Sequence, residues 1–218
     1  MKSRRAMRSR GRDRAALYAA RAALFVAIVG GWEAGVRAGL LDPYFVSRPA
    51  LIAGTIGEWF ATGYIYPHIW ATIEETVVGL AIGILAGVAV GALFAFSPFL
   101  SNVLNPLMVV LNAMPRIALA PLFILWLGIG LASKVAMVVS LVFFIIFFST
   151  YAGLKDVDPN LINHVRVMGG GRAHLLRHVL LPSALTWIFT SLRACVGFAV
   201  IGAILGEYLG ADRGIGYL

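Results

Sequence analysis

The chain has 218 residues, 60% of them hydrophobic and only 13% charged, with a mean hydropathy of +0.87. Water-soluble domains run at about 45–50% apolar and about 25% charged, so a soluble globular protein is excluded and lipid must stand in for water over much of the surface. The formal net charge is +8, and seven of the 18 basic residues fall in the first 14 positions: Lys2, Arg4, Arg5, Arg8, Arg10, Arg12 and Arg14. Because an apolar segment follows at once, this cluster reads as a topology signal that keeps the amino terminus in the cytoplasm, rather than as a nucleic-acid patch.

Crossing a bilayer takes roughly 20 apolar residues in a helix. Residues 15–40 form the first such segment, uncleaved, after a basic tail at 1–14. Residues 41–71 break the pattern with Asp42-Pro43, Arg48-Pro49, Gly63 and Tyr66-Pro67. Within them Leu51, Ile52, Thr55, Ile56, Trp59 and Phe60 share one helical face, which predicts an amphipathic helix lying on the outer membrane surface. A second span is expected over 72–96, with Glu74 and Glu75 at its mouth. In it Gly79, Gly83, Gly87 and Gly91 recur every four residues and stack on one stripe, a surface for close packing of a neighbouring helix.

The third span, 103–127, is interrupted by Pro106, Pro115 and Pro121. Broken helices survive in membranes where protein or an aqueous cavity satisfies the freed backbone groups. Arg116 falls inside this segment beside Pro115, and a charge at that depth ordinarily faces a bundle interior or a cavity. Pro115 and Arg116 are therefore candidate lining for a translocation path, where a guanidinium would suit an anionic solute. Gly128-Ile129-Gly130 turns the chain, and a fourth span covers 132–152 with Lys134 snorkelling to the headgroups. A fifth span covers 183–206, followed by Glu207, a candidate gate or interface residue on the outer side.

Residues 153–182 are polar and carry Lys155, Arg166, Arg172 and Arg177, against a single Lys or Arg in each outer segment (Arg48, Arg213). The positive-inside bias puts this stretch in the cytoplasm. Asp158-Pro159 starts a short helix with Leu161, Ile162, Val165 and Met168 on one face, and Gly169-Gly170-Gly171 ends it. A second short helix, 172–181, is expected to stop at Pro182. A hinged helical knob of this kind suits a cleft on a soluble partner.

The spacing within the knob is that of a known signature. Asn163-His164-Val165, three residues, Gly169, nine residues and Val179-Leu180-Leu181-Pro182 resemble the cytoplasmic motif of ATP-binding-cassette (ABC) importer permeases: Glu-Ala-Ala, three residues, Gly, nine residues, Ile-x-Leu-Pro. The first triplet departs from that pattern. The resemblance covers about residues 40–218, is closest to the nitrate/sulfonate/taurine permeases, and extends to the stretches 115–122, 126–130, 132–134, 206–208 and 214–217. It implies an all-α polytopic bundle in the bacterial inner membrane. It further implies a permease dimer, a pair of cytoplasmic ATP-binding subunits docked on Asn163, His164, Val165, Gly169, Val179, Leu181 and Pro182, and an external solute-binding protein. The chain itself would need no cofactor and no catalytic group. The family continues into one more span than the five read here, so a sixth is expected beyond Leu218.

Two other classes fit parts of the pattern. A secondary transporter or channel would use broken helices and an intramembrane Arg equally well, but gives no reason for the spaced knob. A membrane-embedded enzyme needs a nucleophile and base, and neither they nor a phosphate-binding loop is present in the sequence. His164, His174 and His178 lack the accompanying Cys or carboxylate that a metal site requires.

Overall fold

The computed structural model describes residues 2–218, with side chains from Arg14 onward except Ala15; the side chains of the basic tail up to Arg12 lie outside the described residues. Among the described residues all regular structure is helical. The chain divides into two units, Met1–Tyr64 and Ile65–Leu218.

The first unit holds α1 (Lys2–Arg37), α2 (Pro43–Val46) and α3 (Pro49–Thr62). The stretch Ala16–Arg37 is long and apolar enough to cross a membrane, and its Leu24, Phe25, Val26 and Ile28 are exposed on the chain. Pro49 occupies the first turn of α3, where its missing N–H costs nothing. Glu33 of α1 accepts a hydrogen bond from the Ala50 N–H at 3.1 Å and one from Arg37 Nε at 2.8 Å. The carboxylate thus satisfies an otherwise orphaned donor at the α3 amino end. No side chain of α3 is buried.

The second unit is built on α4 (Ile65–Phe96), α7 (Leu131–Lys155) and α9 (Arg172–Leu209), all candidate spans. The helix expected from residue 72 begins seven residues earlier, because Pro67 falls in its first turn, where no N–H is needed. Helices α4 and α7 run parallel, and the glycine stripe lies between them. A Cβ added at Gly79 would sit 2.5 Å from Val138 Cβ; at Gly83, 2.8 Å from Val142 Cβ; at Gly87, 2.8 Å from Ile146 Cβ; at Gly91, 2.8 Å from the Phe147 carbonyl oxygen. Helix α9 runs antiparallel to α7 and approaches its other side through small residues. A Cβ at Gly202 would meet Val138 Cα at 3.1 Å, and one at Gly206 would meet Lys134 Cα at 3.3 Å. Val138, Val142, Ile146, Cys195, Ala199 and Ala203 form the fully buried centre. In lipid, where helices gain nothing by leaving water, such small-against-branched contact is the main packing energy.

Between α4 and α7 the chain makes a broken span. Helix α5 (Pro98–Ala113) starts on a Ser97 cap; a 3₁₀ turn (Arg116–Leu119) leads into α6 (Ala120–Leu127), and the two halves are bent by 92°. The break has a local cause: Pro115 forces Met114 into extended geometry (φ −66°, ψ 136°). The stretch left between the expected second and third spans, 97–102, shrinks to Ser97, since Pro98 is acceptable at a helix start. Counting the bent pair as one, up to five spans are present among the described residues.

The expected stop at Pro182 is not found. Helix α9 runs through it, with a π-helical segment at Leu176–Leu180 in which the Leu181 N–H reaches back to the Leu176 carbonyl. Widening the turn just before the proline absorbs its missing donor and ring bulk.

Candidate functional site

The two ends of the second unit differ in chemistry. At one end, helix α8 (Pro159–Val167) bridges α7 and α9. The Asp158 carboxylate accepts from the Asn160 N–H at 2.8 Å and caps the start. At its close the Gly170 N–H donates to Val165 O at 2.8 Å and the Gly169 N–H to Arg166 O at 3.0 Å, with Gly169 at φ +78°. This pair of bonds is a Schellman termination, and an L side chain at Gly169 would pay for the left-handed angle. Asn163, His164 and Arg166 are exposed, Val165 is half-buried, and Val167 and Met168 protrude at the tip, 88% and 86% exposed. Met168 is the carboxyl cap of α8, its N–H still bonded to His164 O at 3.0 Å. Val179 is half-buried and Leu181 and Pro182 are exposed on α9. The motif residues therefore span α8, its glycine termination and the start of α9.

The opposite end holds a buried polar cluster. Lys134 Nζ pairs with Glu75 Oε1 at 3.2 Å, both side chains 3% exposed. The expected snorkelling of Lys134 is thus corrected: a carboxylate on the adjoining helix offers it a partner inside the bundle. Glu207 is 1% exposed. Its Oε1 accepts from Thr72 Oγ1 at 2.6 Å and its Oε2 from the Gly216 N–H at 2.7 Å. The Ile215 N–H donates to Thr72 Oγ1 at 2.9 Å, and His68 Nδ1 lies 3.2 Å from both the N–H and the carbonyl oxygen of Gly214, while the His68 ring stacks on Tyr217. Residues 214–217 are so laid across the end of α4 and anchored on Glu207. Gly214 takes φ +119°, and a Cβ there would collide with the Glu207 carboxyl group. Beside the cluster is an open hollow of about 300 Å³ bordered by Trp70, Glu74, Lys134, Asp212 and Arg213. His68, Thr72 and Lys134 were not singled out as site residues from sequence; the signal available was a short run of polar residues at the mouths of otherwise apolar spans.

Arg116 sits at the break between α5 and the 3₁₀ turn. Its Nη1 donates to Leu111 O at 2.7 Å, and Nη2 donates to Asn112 O at 2.9 Å and Asn112 Oδ1 at 3.0 Å. The guanidinium also lies over the Phe144 ring, 4.4 Å from its centroid. It closes the open carbonyls at the carboxyl end of α5, the pole at which a cation is favoured.

Residues 79–218 match the family described as binding-protein-dependent transport system inner membrane component. The chain belongs to that family. It is an inner-membrane permease of the ABC importer type, a multi-pass transport component whose ATP hydrolysis resides on a separate subunit. The permease is 35% identical over 194 residues to the formylaminopyrimidine transport permease protein ThiX of Halalkalibacterium halodurans, covering 88% of this chain and 76% of that one. It is 29% identical to the putative aliphatic sulfonates transport permease protein SsuC of Bacillus subtilis, over 88% of this chain and 69% of that one. To the taurine transport system permease protein TauC of Escherichia coli it is 31% identical, over 82% and 67%. Among solved structures, the MetNI methionine ABC transporter in an inward-facing conformation shares the permease's fold with a TM-score of 0.59 at 22% identity, over 69% of this chain and 76% of that one.

Proposed function

We propose that two copies of this permease form the membrane path of an ATP-driven importer, with the amino terminus and residues 153–182 in the cytoplasm. The knob of α8 and the start of α9 docks a pair of ATP-binding subunits, and the end carrying Glu207 faces an external solute-binding protein. The observation that carries this reading is the capped helical knob. Its capped, hinged helix offers Val167 and Met168 at the tip, an apolar anchor ringed by His164 and Arg166, which suits insertion into a cleft. Asn163 in place of the family's acidic residue makes this contact less charged, so its hold on the ATPase rests on packing.

For the solute we propose a small anion of the sulfonate, taurine or nitrate kind, on the strength of the sulfonate and taurine relatives. A heteroaromatic solute is the second reading, favoured by the relative named for formylaminopyrimidine. Pro115 and Arg116 border the path at the broken span, with Arg116 committed to the α5 carbonyls and shaping the break. The test is co-purification of the permease with an ATP-binding subunit encoded beside it, followed by uptake assays with both solute classes. A permease that never retains an ATPase would overturn the importer reading in favour of a secondary transporter.

A further inference from the structure

The cluster at the Glu207 end contains one charge too many. Glu75 of α4 and Glu207 of α9 are both buried, and the Lys134 ammonium of α7 is the single cation buried with them among the described residues. Every oxygen but one has a donor. Glu75 Oε1 takes the Lys134 bond, Glu207 Oε1 takes the Thr72 hydroxyl and Glu207 Oε2 the Gly216 N–H. Glu75 Oε2 is buried with no donor at all, and Thr72, one turn before Glu75 on α4, is bonded to Glu207. Two bare carboxylates cannot hydrogen-bond to each other, and burying a negative charge without a compensating partner is strongly unfavourable. The remaining charged neighbours do not cancel it. Glu74 adds to it, Asp212 and Arg213 are exposed and offset each other, and His68 turns Nδ1 to the Gly214 backbone.

We infer that Glu75 and Glu207 form a proton-binding site, in which a single proton on Glu75 Oε2 is donated to the Glu207 carboxylate. The arrangement satisfies the orphaned oxygen, makes Glu75, Glu207 and Lys134 neutral as a set, and gives Glu207 a third donor beside Thr72 and Gly216. The proton thereby fastens residues 214–217 to three helices at once. Two carboxyls sharing one proton is the expected outcome when like charges crowd one site. The inference holds for this fold whatever solute the permease carries.

Infrared spectroscopy of the permease in lipid nanodiscs reads the proton directly. At neutral pH the wild-type protein should show a protonated-carboxyl C=O band that shifts in D₂O, and Glu75→Gln should lose it while keeping the fold, since the amide supplies the same donor to Glu207. Thr72→Val keeps both carboxyls but removes a competing donor, so it should move the band without abolishing it; this arm stands even if Glu75→Gln fails to fold. Absence of the band in the wild type overturns the inference, as does a band that survives Glu75→Gln or is unmoved by Thr72→Val. A band seen only when sodium is withheld assigns the site to an alkali cation and overturns it equally.

Discussion

Arg116 shows how a single side chain can look alike in two roles. A guanidinium in a broken span suits an anion path, yet its donors are committed to the carbonyls of Leu111 and Asn112. Hydrogen bonds from a charged donor are worth about 1.5–3 kcal/mol each when lost. Arg116→Ala should therefore lower the maximal uptake rate with little change in KM, and Arg116→Lys should restore only part, since a point charge cannot span both carbonyls. A selective rise in KM would mark direct solute contact instead. The position of Arg116 beside Pro115 was legible in the sequence; its partners were not, because they depend on the 92° bend at Pro115. The Glu207 cluster was hidden for a stronger reason. His68 and Gly214 are 146 positions apart, and neither helical period nor hydropathy relates them. Lys134 was misread for the same reason, its partner being 59 residues earlier on another helix.

At the scale of elements, periodicity carried much of the fold because membrane helices have few alternatives. Every backbone group in lipid must be bonded internally, so an apolar run of adequate length is a helix, and a four-residue glycine stripe is a contact face. The α4–α7 interface makes a sharp prediction. Gly83→Val or Gly87→Val would press a branched side chain on Val142 or Ile146, and overpacking of this kind costs about 1–3 kcal/mol or more. Thermal unfolding in detergent should fall for both, whereas Gly197→Val, with open space at its Cβ, should change little. Element ends were less legible. Proline at 67 and at 182 reads as a boundary, but the first is absorbed in an opening turn and the second by a π segment. The glycine hinge of the knob is the converse case. Gly169 ends α8 as its sequence implies, through a left-handed angle that a branched residue meets at about 1–2 kcal/mol. Gly169→Val should leave the protein in the membrane but uncouple ATP hydrolysis from uptake, measured as hydrolysis per solute transported.

The second unit as a whole is sided. The acidic cluster and the helical knob lie at opposite ends of α4, α7 and α9, and the basic residues favour the knob end in the cytoplasm. In a Cys195→Ala background, a cysteine at Asn160 should resist membrane-impermeant thiol reagents in intact cells and react in inverted vesicles. One measurement tests the central claim most directly. A photo-crosslinking residue placed at Met168 should, on illumination in the membrane, join the permease to its ATP-binding subunit, while the same residue at Ile129, in the opposite turn, should not. Crosslinking from Ile129 and not from Met168, or from neither, would contradict the docking of an ATPase on residues 153–182.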